Sequence, residues 1–272
     1  MKLAIDLGGT NIRIGQVANG KIISKKSVAC LSSGTEKQVL SQLFSLIEGE
    51  YNKDVSGIGI GVPSVVDHVK GIVYNVANIL SWKEVPLKDI LQEKFSVPVF
   101  VNNDSNCFAL GEKLYGEGKN YANLVGVTLG TGLGAGVIID NHLYCGNNTG
   151  AGEIGSLPYL DLDFEHYCSS SFFHYYNTKG KDVYIEALNK NQNAMKIWDE
   201  YGKHLGELVK AILYTYDPSA IIFGGSISNA FPFFINSLRN IVKDFPYVNS
   251  LNNLHLLKTK DTDISLLGAS AL

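Results

Sequence analysis

The chain has 272 residues, enough for one large domain or two modest ones. Hydrophobic residues make up 45% of it and charged residues 18%, which excludes a disordered tail and a highly charged coiled coil. The 23 basic and 26 acidic residues give a net charge of -3, so we expect no nucleic acid as main partner.

The start of the chain and its hydropathy argue against export and membrane insertion. Asp6 places a carboxylate where a signal peptide needs an apolar stretch, and no segment reaches the roughly 18 apolar residues of a membrane span. We therefore expect a cytoplasmic protein with no membrane partner. No Cys-x-x-Cys pair is present, and we expect all four cysteines to be small buried residues: Cys30, Cys107, Cys145 and Cys168.

The N-terminal region predicts three strands and a helix. Leu3–Ile5 and Ile12–Val17 form a hairpin pattern with glycines at its bend. A third strand over Lys21–Val28 follows Asn19-Gly20, a strong tight-turn signal. Apolar residues at helical spacing then predict a helix over Thr35–Tyr51.

Short apolar runs and helical patterns alternate in the next segment. The runs are typical of strands buried on both faces of a sheet. We expect strands over Val55–Val62 and Val97–Val101, and helices over Leu87–Phe95 and Ser105–Tyr115. Either Asn103 or Asp104 would cap the last of these helices.

The middle of the chain repeats its beginning. Strands are predicted over Leu124–Leu129, Gly134–Ile139 and His142–Tyr144, with glycines at the first bend. Asp6 then aligns with Thr128, 122 residues later, a distance too long for a solenoid repeat. The sequence therefore predicts a duplicated domain.

The C-terminal region predicts a long helix, a strand and a final helix. The long helix covers about Ala194–Tyr216 and stops at Asp217-Pro218, before a strand over Ala220–Phe223. The last helix, near Ser265–Leu272, is expected to return to the first domain.

Two strand-glycine-strand hairpins are what a two-sided phosphate clamp requires. Glycines let backbone N–H groups approach anionic oxygens without obstruction by a Cβ atom. Each loop alone is equally well explained as a simple hairpin connection. The combination is more specific, because Asp6 precedes the first loop, Thr10 lies in it, and Gly224-Gly225 ends a late strand.

Motifs along nearly the whole chain resemble the ROK family of bacterial sugar kinases and sugar-responsive repressors. They are Asp6-Leu7-Gly8-Gly9-Thr10, Asn103-Asp104-Ser105-Asn106, Leu129-Gly130-Thr131-Gly132-Leu133-Gly134-Ala135-Gly136, Gly150-Ala151-Gly152-Glu153-Ile154-Gly155 and Phe223-Gly224-Gly225. The resemblance implies an α/β actin-like ATPase fold, of ribonuclease-H type, with two duplicated domains and a cleft between them. We expect the domains over residues 1–107, completed by the helix at about 260–272, and 108–259.

The resemblance also implies ATP and Mg²⁺ as cofactors. Asp6 would hold Mg²⁺, directly or through water. The nucleotide would be bound by glycines and threonines of three motifs: Gly8, Gly9 and Thr10, then Gly130, Thr131 and Gly132, with Gly224 and Gly225 beside the nucleoside. Such a division suits phosphoryl transfer, which depends on positioning and charge neutralisation.

Asp104 resembles the catalytic base of the family. It follows a predicted strand, at the carboxyl end where open α/β sheets place their ligands. It would accept the proton of the attacking sugar hydroxyl. The alternative is that Asp104 only caps the following helix, and both roles can coexist.

Side chains with two-pronged hydrogen bonding suit a sugar, whose hydroxyls both donate and accept. The expected sugar-binding residues, besides Asp104, are Ser64, Asn78, Asn103, Glu153, Ser156 and Glu165. Asn78 matches an Asn-Leu-x-x-Trp segment of the family, although Asn75 is an alternative. Ser64 would act through its backbone.

The sequence departs from the family after Glu153. ROK kinases usually carry His where this chain has Ser156, followed by a cysteine-rich zinc loop that ends in Leu-Glu. Residues 157–164 contain no cysteine, so Glu165 aligns with that glutamate. His166 and Cys168 do not complete a tetrahedral site, and we expect no zinc.

The leading hypothesis is an ATP-dependent kinase for a hexose or an N-acylhexosamine, with a homodimer implied by the resemblance. One alternative is a sugar-responsive repressor, although a phosphate-loop strand at Met1 leaves no room for an N-terminal DNA-binding domain. Another is a sugar-binding or sensing protein of the same family that has lost catalysis.

Overall fold

The structure is a computed structural model, and it describes residues 1–147 and 149–272. The chain divides into two compact units. Unit 1 comprises Met1–Lys119, Leu143–Ala151 and Asp261–Leu272, and unit 2 comprises Asn120–His142 and Gly152–Lys260.

Strands and helices alternate along the chain. The first part contains β1 (Lys2–Leu7), β2 (Asn11–Ala18), β3 (Lys21–Ala29), α1 (Glu36–Glu50), β4 (Ile58–Val62), β5 (Val65–Asp67), β6 (Ile72–Tyr74), β7 (Glu84–Val85), α2 (Leu87–Phe95), β8 (Val99–Asn103) and α3 (Asp104–Leu114). The rest contains β9 (Leu124–Leu129), β10 (Leu133–Ile139), β11 (His142–Tyr144), β12 (Pro158–Tyr159), β13 (Leu162–Asp163), α4 (Phe164–Cys168), α5 (Gly180–Leu188), α6 (Gln192–Tyr216), β14 (Ala220–Gly224), α7 (Phe231–Val242), α8 (Val248–Asn253), β15 (His255–Lys258) and α9 (Ile264–Ser270).

The strands predicted for the first domain form one five-stranded sheet in the order β3-β2-β1-β4-β8. β1, β2 and β3 pair antiparallel, whereas β1, β4 and β8 run parallel. All five residues of β4 are buried, as expected for a strand covered on both faces. β4 begins at Ile58 rather than Val55, because Gly57 still serves as the acceptor for Leu3 N before the ladder starts.

The second five-stranded sheet has the order β11-β10-β9-β14-β15. β9 and β10 pair antiparallel, and β9, β14 and β15 run parallel. Both sheets thus place their third, second and first strands side by side, followed by two later parallel strands. This shared order confirms the predicted duplication.

Each unit has its own hydrophobic core. The core of unit 2 is rich in aromatic rings that lie between α6, α7 and the sheet, among them Trp198, Tyr201 and Phe234. The helical spacing predicted α6, and Asp217 ends it in a left-handed conformation.

The last helix, α9, packs on α3 and β1 within unit 1. The contact is close, because a Cβ atom at Gly268 would lie 1.8 Å from the carbonyl oxygen of Cys107. The expected boundary after residue 107 falls inside α3, and unit 1 continues to Lys119.

The short pairings β5-β6-β7 and β12-β13 were not predicted, because strands of two or three residues show no periodicity. Cys107 and Cys168 are buried as expected. The expectation is wrong for Cys30 and Cys145, which are partly exposed. Among the described residues, no helix is both long and apolar enough to cross a membrane.

Candidate functional site

The first glycine loop, Gly8–Asn11, joins β1 to β2. Gly8 N donates to the carbonyl oxygen of Asn11 at 2.9 Å, which closes the turn. A Cβ atom at Gly9 would lie 2.2 Å from Cβ of Asn78, so the loop backbone packs directly on that residue. The structure therefore brings the expected phosphate loop and the expected sugar ligand Asn78 together.

Asp6 lies opposite Arg13 in the β1–β2 ladder. Arg13 Nε donates to Asp6 Oδ2 at 2.9 Å, and Nη2 approaches the same oxygen at 2.5 Å. Arg13 Nη1 also donates to the carbonyl oxygen of Thr262 at 3.0 Å. Sequence reasoning missed Arg13, although the hairpin register places it across from Asp6.

The residues around Asp6 fit one way of holding Mg²⁺. Within residues 1–147 and 149–272 no group of three or more His, Cys, Asp or Glu side chains forms a metal cluster. Mg²⁺ is often bound by one or two carboxylates together with substrate phosphates and waters. Asp6, beside a phosphate-type loop, suits that mode, with Arg13 paired to one carboxylate oxygen.

The turn between β8 and α3 carries Asn103 and Asp104. Asn103 Oδ1 accepts from the backbone N of Ser105 at 2.8 Å and of Asn106 at 3.3 Å, so Asn103 is the N-cap. Asn103 Nδ2 also donates to the carbonyl oxygen of Ser64 at 3.2 Å, which brings two expected sugar residues together. Much of the Asn103 side chain thus serves the fold.

Asp104 is the first residue of α3, and its side chain is partly exposed. Its Oδ1 accepts from the backbone N of Ser105 at 2.8 Å. The carboxylate is therefore oriented by the first turn of the helix. Of the two alternatives for the cap, Asn103 is correct, which leaves Asp104 able to act as a base.

The second glycine loop, Gly130–Gly132, joins β9 to β10. Ser170 holds it from outside, with its N donating to the Gly130 carbonyl oxygen at 2.9 Å and its Oγ donating to that of Thr131 at 3.2 Å. Glu165 Oε2 accepts from Leu133 N at 3.0 Å. A Cβ atom at Gly132 would lie 2.7 Å from the same oxygen, so Glu165 packs on this loop.

Two carboxylates of unit 2, Glu153 and Glu165, interact electrostatically. Loss of hydration and, second, repulsion from Glu165 raise the pKa of Glu153. Ser156 is exposed at the end of the 3₁₀ helix Ile154–Ser156, which begins directly after Glu153. Paired carboxylates of this kind can each accept hydrogen bonds from two sugar hydroxyls.

The glycine pair after β14 lies against the second glycine loop. Gly225 has φ +80°, and a Cβ atom there would lie 2.2 Å from the carbonyl oxygen of Leu129. Only glycine fits this conformation and approach. The structure thus groups Gly224 and Gly225 with the residues that precede Gly130.

The region of the expected zinc-loop deletion forms the hairpin β12–β13 and the short helix α4. His166 Nδ1 lies 2.7 Å from Asp163 Oδ1, and Cys168 is fully buried. The expected absence of zinc stays a prediction.

The expected site residues are divided between the two units. Unit 1 holds Asp6, Gly8, Gly9, Thr10, Ser64, Asn78, Asn103 and Asp104, and unit 2 holds Gly130, Thr131, Gly132, Glu153, Ser156, Glu165, Gly224 and Gly225. In each unit a glycine loop packs on a polar side chain suited to a sugar.

Comparisons with known proteins agree with this geometry. The model of the ROK family matches residues 2–272. The glucokinase of Thermotoga maritima is 26% identical over 304 residues, which cover 99% of this chain and 96% of that protein. A ROK family glucokinase from Streptomyces griseus, solved with glucose and AMPPNP, is 26% identical, with a TM-score of 0.86 over 99% of this chain and 98% of that one.

A third relative has a different role. The xylose repressor of Bacillus spizizenii is 35% identical over 220 residues, which cover 74% of this chain and 56% of the repressor. The chain therefore spans little more than half the length of that relative.

Proposed function

This chain belongs to the ROK family, and we propose that it is an ATP-dependent sugar kinase that phosphorylates a hydroxyl of a hexose or an N-acylhexosamine. It has the actin-like ATPase fold of the sugar kinases in that family. Sugar kinases are among its relatives in both sequence and structure.

The observation that carries the proposal is the pairing of loop and sugar residue. Gly9 packs on Asn78, and Gly132 packs on Glu165. Phosphoryl transfer requires the terminal phosphate of ATP to lie beside the accepting hydroxyl. A backbone loop suited to phosphate, directly against a side chain suited to hydroxyls, meets this requirement in each unit.

Asp104 is proposed as the base that accepts the proton of the attacking hydroxyl. An ordinary Asp is a weak base, but the loose transition state of phosphoryl transfer needs the proton removed late, so orientation matters most. The hydrogen bond from Ser105 N supplies that orientation.

The remaining roles follow the chemistry of each side chain. Mg²⁺, held by Asp6 and phosphate oxygens, supplies charge neutralisation. Thr10 and the backbone of Gly8 and Gly9 bind phosphate, as do Gly130, Thr131 and Gly132, while Gly224 and Gly225 flank the nucleoside. The sugar is bound by Ser64, Asn78, Asn103, Glu153, Ser156 and Glu165.

The test is ADP release with Mg-ATP and a sugar panel of glucose, mannose, N-acetylglucosamine, N-acetylmannosamine and xylose, with EDTA as control. We expect turnover with one class of sugar, and a loss of at least about 1000-fold in Asp104→Asn. Sugar affinity should change less than about threefold, because the carboxamide keeps the shape and an acceptor. Near-normal turnover in Asp104→Asn removes this residue from the mechanism.

The second candidate is a sugar-binding protein without catalysis, favoured by the 35% identity to a xylose repressor. It predicts saturable sugar binding in calorimetry, with no turnover of any sugar in the panel.

A further inference from the structure

A buried carboxamide network lies beneath the turn that carries Asp104. Asn102 and Asn106 are only 5% and 1% exposed. Asn102 Oδ1 accepts from Asn103 N at 2.8 Å and from Asn106 Nδ2 at 2.9 Å. One side-chain oxygen thus ties the end of β8 to the first turn of α3.

The thiol of Cys145 completes this network. Its Sγ lies 3.5 Å from Asn102 Nδ2 and 3.9 Å from Asn106 Nδ2, within the longer range of hydrogen bonds to sulfur. A buried amide N–H without an acceptor costs about 1–3 kcal/mol, so a weak acceptor at this place still favours one arrangement of both side chains. Burial raises the pKa of the Cys145 thiol, which keeps it neutral.

Cys145 belongs to the segment Leu143–Ala151, which packs within unit 1 although the chain before and after it belongs to unit 2. The segment has a second, separate attachment. His68 Nδ1 lies 2.9 Å from Oγ1 of Thr149, which is 1% exposed. The His68 contact does not touch Asn102 or Asn106, so it provides a matched control.

We propose that Cys145 is a positioning residue that, through Asn102 and Asn106, holds the Asn103–Asp104 turn in the orientation required for proton abstraction. This inference rests on the proposed kinase function. The thiol contacts neither sugar nor nucleotide in this scheme. Its effect on the reaction is transmitted by the two carboxamides to the backbone of Asn103 and the first turn of α3.

The test compares the variants Cys145→Ala, Cys145→Ser and His68→Ala in steady-state kinetics. For Cys145→Ala we expect kcat to fall about 10- to 100-fold, as for a small misplacement of a reacting group, with KM for sugar and ATP within about twofold. Cys145→Ser should recover most of the loss, because a hydroxyl also accepts the amide N–H. His68→Ala should keep kcat within about twofold.

A second measurement does not depend on activity. Hydrogen exchange of the peptide that covers residues 102–108 should rise in Cys145→Ala and stay unchanged in His68→Ala. Unchanged exchange in Cys145→Ala overturns the network. An equal loss of kcat in Cys145→Ala and His68→Ala overturns it as well, since it indicates general anchoring of the segment.

The outcomes separate this inference from the proposed function. A wild-type protein that phosphorylates no sugar overturns the kinase proposal. An active wild type with unchanged kcat in Cys145→Ala overturns only the positioning role of Cys145.

Discussion

The two glycine hairpins have the same place in two sheets of the same strand order, yet they are built differently. In the β1–β2 hairpin the last pair is Leu7 with Ile12, and Asp6 faces Arg13 behind it. In the β9–β10 hairpin the last pair is Leu129 with Leu133, and Thr128 faces Gly134 behind it. The second loop is thus one residue shorter, and an ion pair is replaced by two neutral residues.

The supports of the two loops differ in the same sense. The first loop is backed by a charged pair from its own strands, Asp6 and Arg13. The second depends on side chains from elsewhere in unit 2, Ser170 and Glu165. Duplication therefore preserved the backbone, while the carboxylate that suits a cation is kept at only one of the two equivalent positions.

Replacement of Asp6 should have the largest effect on activity. Asp6→Asn removes the negative charge beside the first loop and the ionic partner of Arg13. We expect kcat/KM to fall at least about 100-fold, as for loss of a preorganised electrostatic group. Sugar phosphorylation at several Mg²⁺ concentrations, with Mn²⁺ binding followed by paramagnetic resonance, measures the effect.

Thr128→Ala at the equivalent position of the second hairpin is the matched control. Thr128 Oγ1 donates to the carbonyl oxygen of Gly134 at 3.3 Å, a neutral bond within the hairpin. We expect less than a tenfold loss, consistent with about 1 kcal/mol for a neutral hydrogen bond. Equal losses in both variants contradict the assignment of the cation to the first hairpin.

Methyl groups added to the two loops should affect stability unequally. In Gly9→Ala the new Cβ would lie 2.2 Å from Cβ of Asn78, whereas at Gly130 it would meet nothing within 4 Å. We expect Gly9→Ala to lower the free energy of unfolding by about 1–3 kcal/mol and to weaken sugar binding through Asn78. Gly130→Ala should change it by less than about 0.5 kcal/mol.

Denaturant unfolding and sugar titration of both variants make this comparison. A Gly9→Ala protein as stable as the wild type, with unchanged sugar affinity, contradicts the packing of the first loop on Asn78.

The sequence allowed the two hairpins to be predicted because their signals are local. Alternation set the strands, and glycines marked the bends. Arg13 was missed because its partner follows from strand register, and Ser170 was missed because it lies some 40 residues from the loop that it holds. The hydrogen bonds of Asn102 and Cys145 likewise depend on tertiary packing, which no spacing along the chain records.

The smallest expected effect concerns the charge pair that adjoins the second loop. Because the folded state raises the pKa of Glu153, the ionised carboxylate is disfavoured relative to the unfolded chain. Stability should therefore decrease as pH rises from the ordinary carboxyl range through the raised pKa. Glu153→Gln should remove this decrease and gain less than about 1 kcal/mol at neutral pH, since solvent screens an exposed group.

Denaturant unfolding between about pH 4 and 8 tests this dependence, with Glu165→Gln as the matched variant. Glu165→Gln removes the repulsion but leaves an amide oxygen able to accept from Leu133 N. It should recover only part of the gain, because loss of hydration is the larger cause of the shift. A pH-independent difference between wild type and Glu153→Gln would show that the carboxylate pair carries no strain in the folded state.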